Sequence, residues 1–347
     1  LPKNKISAAL VLFCLLWFTP AIFAQSDSVA IKTKNIFPES KSNRQFADSM
    51  KSIYRQIEKV NMDCRLAVFP KELNKKRLIP LACAEGVLTG SSLYALNEMW
   101  YKNYDRSAFH FFNDSREWMQ MDKLGHLKAS VTISNFCYFA FRWSGVNKSK
   151  SVIYGSALGL GYMTAIEVLD GYSSHWGFSV TDMAVNVLGT AIFASQEMLW
   201  ENRRVKFKIS YHPTQYAGYR PEALGDNIAE RMLKDYNGQT HWLSISSGLL
   251  MPHQKKVPRW LCVSFGYGAE GMTGGFANPA FNEKGDALPA FDRYRQFYLS
   301  FDVDFAQIKT RSKFVRGLLL ALNTLKVPFP TLEYNTKGEF KFHYLYF

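Results

Sequence analysis

Apolar positions in this chain come in three textures. The first is a run at residues 6–18, preceded by Lys3 and Lys5 and followed by the small residue Ala24. That is the layout of a secretory signal peptide, with cleavage expected after Ala24. Residues 25–77 are polar and read as an extension, with one amphipathic stretch at 44–60. The second texture is four apolar stretches at 79–101, 123–142, 151–169 and 180–200, rich in small residues such as Ala82, Gly86 and Gly90 that favour close helix packing. At about 20 residues each they border the length that crosses hydrocarbon. A bundle half-sunk in a membrane and a soluble bundle both fit. The third texture begins after Trp200. Stretches at 205–211, 241–247, 260–267, 294–305 and 339–347 read as strands, and 223–236 as an amphipathic helix. Five or six strands fall short of the eight of a small closed barrel, so this region is expected to be a small β-rich appendage, with membrane contact among its roles.

The expected fold class is therefore α+β: a central bundle of about four apolar helices with a smaller β-rich C-terminal region. The domains follow the textures: signal peptide at 1–24, polar extension at 25–77, helical domain at 78–200, and β-rich region at 201–347.

Composition adds little to the fold but narrows the function. The 347 residues hold 15% aromatics, an excess that suits a membrane interface as well as a core. The formal charge is +13, lowered by two if Lys3 and Lys5 leave with the leader. A basic surface suits anionic lipid, glycan phosphate or nucleic acid. The leader and the absence of helix-turn-helix or zinc-finger spacing argue against nucleic acid. Cys64, Cys83, Cys137 and Cys262 are scattered, with no metal knuckle; Cys64 and Cys83 are a candidate disulfide pair in an exported chain. Cys14 lacks the small-residue context of a lipoprotein signal, so N-terminal lipidation is not expected.

The chemistry sits in the apolar helices. Asp122, Lys123 and His126 head one of them, Glu167 lies in the next, and Asp182 and Asn186 in the last. Residues four apart share a helix face, which pairs Asp122 with His126 and Asp182 with Asn186. Such groups are costly in an apolar setting unless they meet one another, and a meeting of that kind marks a candidate site. His126 reads as base or nucleophile, oriented by Asp122, with Glu167 and Asp182 handling protons and Asn186 positioning a substrate oxygen. The alternative for the first pair is a helix-start aspartate and a core histidine. Ser173, Ser174 and His175, in the turn before the last helix, suit a phosphate or merely a packed surface turn. Lys123 and Lys128 pair with a phosphate or face water. The aromatics at 109–112 and Trp118 grip an acyl chain or lid the core. No cofactor or metal is required, although Asp122, His126, Glu167 and Asp182 would suit one if they converge.

D-K-x-x-H, a Glu in an apolar helix, then S-x-x-D-x-x-x-N-x-x-G resembles the VanZ-like pattern. The fuller stretches F-H-F-F-N-D-S-R-E-W-M-Q-M-D-K-L-G-H and E-V-L-D-G-Y-S-S-H-W-G-F-S-V-T-D-M-A-V-N-V-L-G are more similar still to the YfiM-like bacterial envelope proteins, a family of unknown function. The resemblance spans residues 78–200. It implies a four-helix core whose polar pocket cleaves or exchanges a lipid head-group bond. The chain departs from the VanZ-like pattern in lacking an Arg in the turn before the Ser-x-x-Asp segment, where it has Tyr172 to Phe178 with His175. The functional expectation is an exported, membrane-associated enzyme hydrolysing or exchanging a head group on a phospholipid or lipid-linked phosphate, facing the periplasm, with the outer membrane among the candidate membranes. The alternative is a non-catalytic envelope scaffold with a protein partner, or a lipid-binding protein. Expected partners are a lipid or membrane surface and an envelope protein, not nucleic acid.

Overall fold

The computed structural model describes residues 69–346, apart from 71, 102–103, 201–202, 252–255, 283 and 311. The leader, the stretch at 44–60, Cys14 and Cys64 lie outside the described residues. The architecture is α+β: a helical cluster in the middle of the chain and an antiparallel sheet in the C-terminal region.

Four helices carry the cluster: α1 (Lys75–Leu96), α2 (Met121–Trp143), α3 (Lys148–Gly171) and α4 (Val180–Leu199). Glycines decide how closely they pack. A Cβ on Gly155 or Gly159 of α3 would strike the α2 backbone at Ser134 and Tyr138, and one on Gly189 of α4 would lie 2.7 Å from the Leu127 carbonyl oxygen. Around these approaches Tyr138, Val152 and Phe193 form one apolar knot, and Ile133, Cys137 and Met163 another. Helix α1 leans on the rest through the Tyr162 hydroxyl, which donates to Ser92 Oγ at 2.9 Å. Helices α1 and α3 are long and apolar enough to cross a membrane by length and composition, and α1 is scarcely covered by the rest of the chain.

Strands β1 (Val205–Tyr211), β2 (Gln239–Ser246), β3 (Leu261–Glu270), β4 (Tyr294–Val303), β5 (Phe329–Asn335) and β6 (Phe340–Tyr346) pair in sequence order, all antiparallel. Between β1 and β2 the expected single helix at 223–236 is broken. Gly225 takes φ +102°, closing a short turn, and Asn227 then caps α5 (Ile228–Lys234) by accepting from the Glu230 amide. A further helix, α6 (Lys313–Leu322), and strand β5 were not expected from the pattern. Pro328 and Pro330 hide β5, because proline in a strand argues against one.

The sheet has an inverted polarity. Its inner rows run Lys208–Trp242–Gly266–Tyr298–Glu333 and Ser244–Ser264–Ser300–Thr331–His343 across paired positions. These residues are buried except His343, and Lys208 pairs with Asp302 at 2.9 Å with neither exposed. Gly266 leaves room for the Trp242 indole, whose ring a Cβ there would meet at 2.8 Å. The neighbouring row, Leu243–Phe265–Leu299–Leu332–Phe342, is apolar, and from Phe265 onward it is exposed.

The sheet is no detached appendage. Met121 at the head of α2 packs with Ala269 and Met272, and Trp118, Met119, Tyr236 and Tyr267 close around them.

Candidate functional site

A left-handed turn sets the head of α2. Trp118, Met119 and Gln120 take φ of 47°, 51° and 67°, three consecutive non-glycine residues in a region that costs each roughly 1–2 kcal/mol. The sheet region holds them there. The Trp118 amide donates to the Gly275 carbonyl at 2.8 Å, the Tyr267 hydroxyl donates to the Met119 carbonyl at 2.6 Å, and Arg295 donates to Gln120 Oε1 at 2.7 Å. Helix α2 leaves this turn with Asp122, Lys123 and His126 aimed at α3 and α4. Helix α4 begins opposite, where Ser179 caps it by accepting from the Asp182 amide at 3.0 Å.

His126 stands between the two partner helices. Its Nδ1 lies 3.2 Å from Asn186 Oδ1 and 3.3 Å from Glu167 Oε1. Both partners on that side are oxygens, so Nδ1 carries the hydrogen, and in the neutral ring Nε2 holds the lone pair. Asp122, expected to orient the ring, lies on the Nε2 side at 3.9 Å, beyond hydrogen-bond reach. The orienting contacts therefore come from Glu167 and Asn186. Asn186 Oδ1 also accepts from Ser130 Oγ at 3.0 Å, while its Nδ2 has no hydrogen-bond partner among the described residues. Glu167 is fixed by the Ser179 amide, which donates to its other oxygen at 3.3 Å.

The second half of the site is built on Lys123. Its ammonium lies 2.8 Å from Asp114, 2.8 and 2.9 Å from the two Asp182 oxygens and 3.5 Å from Asp122. That answers the two readings of Lys123, phosphate ligand or solvent-facing cation. It is buried because three carboxylates of its own chain surround it. Lys128, too, is buried rather than facing water. Two further groups had no sequence signal. Asp114 accepts from Ser179 at 2.6 Å, Thr181 at 2.9 Å and Lys123, and Tyr236 donates to Asp122 at 2.7 Å. Asp114 sits in an aperiodic loop, and Tyr236 lies 114 residues from its partner.

Charge at the site is sorted by environment. Burial pulls the Asp114 pKa upward, but Asp182, Lys123 and Ser179 more than offset it and hold the carboxyl at about 2. Burial, then the negative Asp122, push Asp182 up to about 7 against His126 and Lys123. Burial likewise raises Glu167 to about 8, despite the adjacent imidazole. For His126 burial works downward, yet Asp122, Asp182 and Glu167 together outweigh it and raise the pKa. One carboxylate locked ionised beside others poised near neutrality is the arrangement that acid–base chemistry uses. Access is graded: the side chains of Asp122 and His126 keep 22% and 15% of their surface, against 4% for Asp182 and 1% for Glu167. Asp122, His126 and Asp182 each bring one donor atom within 4.8 Å of the others, a set whose chemistry suits a divalent cation. Lys123 already sets its own positive charge against Asp182.

Residues 110–196 match the family model described as "Predicted periplasmic lipoprotein (DUF2279)". No curated protein and no solved structure matches the chain. The match covers the helices that carry His126, Glu167, Asp182 and Asn186. It supports an exported, envelope-associated protein similar to a family of unknown function.

The remaining expected residues belong to a neighbouring turn. Ser173 is buried, its Oγ accepting from the His175 amide at 3.3 Å, and the Ser174 amide donates to the Asp105 carbonyl. His175 stacks on Tyr104 with ring centres 4.3 Å apart and meets Trp176 edge-on. The hydrogen bonds that build the His126 cluster do not include these three side chains. Phe109 and Phe111 pack on Phe178, and Phe112 on Phe276, with all three partly open to solvent.

Proposed function

We propose that the protein is an exported, membrane-associated enzyme that hydrolyses or exchanges the head group of a phospholipid or lipid-linked phosphate. The observation that carries this reading is the convergence of α2, α3 and α4 on His126, with Nδ1 beside Asn186 and Glu167 and Nε2 on the side of Asp122. In the proposed reaction Nε2 takes a proton from water or an alcohol acceptor, or attacks phosphorus directly. Glu167 stabilises the imidazolium that forms, and Asn186 keeps the ring in place. Asp182, able to carry a proton near neutral pH, supplies one to the leaving oxygen, while Lys123 and Asp114 hold Asp182 in position. Without the Arg of the VanZ-like pattern, the phosphate would be met by the Nε2 edge of His126, charged once it has taken its proton, rather than by a guanidinium fork. The test offers purified full-length chain radiolabelled phospholipids and isoprenoid phosphates and follows head-group release. Release from one class supports the reading; no release from any of them rejects it.

A non-catalytic envelope scaffold is the second reading. Lys123 is already enclosed by three carboxylates of its own chain, and the Tyr236–Asp122 bond ties bundle to sheet region, as a structural network would. This reading expects Glu167→Gln to leave the cellular phenotype intact while loss of the residues after Trp200 abolishes it. The reverse result sinks it.

A further inference from the structure

Helix α6 and the outer face of the sheet form a second apolar feature, away from His126. On α6, Phe314 is 79% exposed, and Val315, Leu318 and Leu322 are exposed on the same side, at the spacing of one helix face. The segment around it is strongly basic. Lys309, Arg311, Lys313 and Arg316 follow closely in sequence, with no acidic residue between Asp304 and Glu333; Lys326, later in that stretch, is buried and donates to the Phe301 and Val327 carbonyls. A helix with a Phe/Leu face inside a cationic segment is the make-up of a helix that lies in a lipid headgroup layer. The sheet carries a second apolar surface. Its outer rows expose Phe265, Leu299, Leu332 and Phe342, then Phe297, Tyr334 and Phe340, while its inner rows bury hydroxyls and the Lys208–Asp302 pair. An antiparallel sheet in water puts its apolar side inward. The reverse order here leaves an apolar face far larger than the scattered residues of a water-exposed surface.

We infer that α6 and the outer sheet face dock the protein onto an anionic lipid bilayer, with the basic segment at the headgroups and the Phe/Leu face among the acyl chains. The cationic segment selects lipid over a second copy of the chain, since two copies would bring like charges together. The inference rests on the sheet and α6 alone and stands apart from the reaction proposed at His126.

Vesicle flotation tests it. Full-length protein in dilute detergent is mixed with phosphatidylcholine vesicles with or without phosphatidylglycerol, and detergent is removed. The wild type is expected to float with the anionic vesicles and to be released by salt. The double variant Phe314→Glu/Leu318→Glu is expected to lose at least about tenfold in partition, as two charges placed among acyl chains would cost. Phe342→Ser, on the sheet, is expected to weaken partition with far-UV circular dichroism unchanged, which separates lost docking from lost folding. The inference is overturned if the wild type ignores anionic vesicles, if it floats equally with neutral ones, if the double variant floats like the wild type, or if the exposed face instead mediates a lipid-free dimer that the variant dissociates. Head-group release from micellar substrate, measured in parallel, reads the His126 site independently.

Discussion

Glu167 is a carboxylate at 1% exposure whose one polar neighbour of opposite tendency is the His126 ring. Much of the imidazolium's stability depends on that acid, together with Asp122 and Asp182. Glu167→Gln keeps the shape and removes the charge, so the His126 pKa should fall. Histidine-detected NMR titration checks this, and an unchanged midpoint would contradict the pairing. His241 on β2 behaves oppositely. Burial first, then the positive Lys128, depress its pKa to about 3, and neither ring nitrogen has a hydrogen-bond partner among the described residues. The folded state holds it neutral, so the stability tied to it is fully present above the unfolded value of about 6.5 and is lost as pH falls toward 3. Denaturant titrations of wild type and His241→Gln should diverge only below about pH 6.5, the variant losing less. Equal slopes would show that His241 is charged or solvated. At this scale His126, Glu167, Asp182 and Asn186 were legible because each interrupts an apolar helix. Asp114 and Tyr236 were not, since neither sits in a periodic context and only tertiary packing brings them in.

Helix spacing turns those residues into a site. Gly189 lets α4 touch the Leu127 carbonyl, which is what sets Asn186 against the imidazole. Gly189→Leu should push the helices apart, costing about 1–3 kcal/mol in overpacking and more than that in function. Chemical denaturation and the same histidine titration would report it; a variant with wild-type stability and an unmoved His126 signal would show that the contact does not matter. The four bundle helices were readable from the density of apolar and small residues. Elements of the C-terminal region were read less completely. Gly225 cuts the helix expected at 223–236, and prolines disguise β5.

The bundle and the sheet act as one unit through a small junction. Met121, Ala269 and Met272 seal it, Tyr267 and Arg295 hold the left-handed turn, and Tyr236 reaches Asp122. The site should therefore fail without the C-terminal region even though its ionisable residues lie before Trp200. Tyr236→Phe removes the hydroxyl alone and should lower head-group release by about tenfold or less, the worth of one hydrogen bond to a charged group, with the fold kept. A loss as deep as that of the His126 variant would instead place Tyr236 among the reacting groups. That the β-rich region would share the site was not legible, because strand patterns carry no record of what their ends pack against.

The claim on which the rest depends is that His126, anchored through Nδ1, is the reacting group of a lipid head-group enzyme. Side-by-side rates for wild type and His126→Ala on the best labelled substrate test it most directly. The account predicts a fall of about 100-fold or more in the variant, the usual contribution of a positioned acid–base group, with circular dichroism and vesicle binding unchanged. Equal release by the two proteins would contradict it.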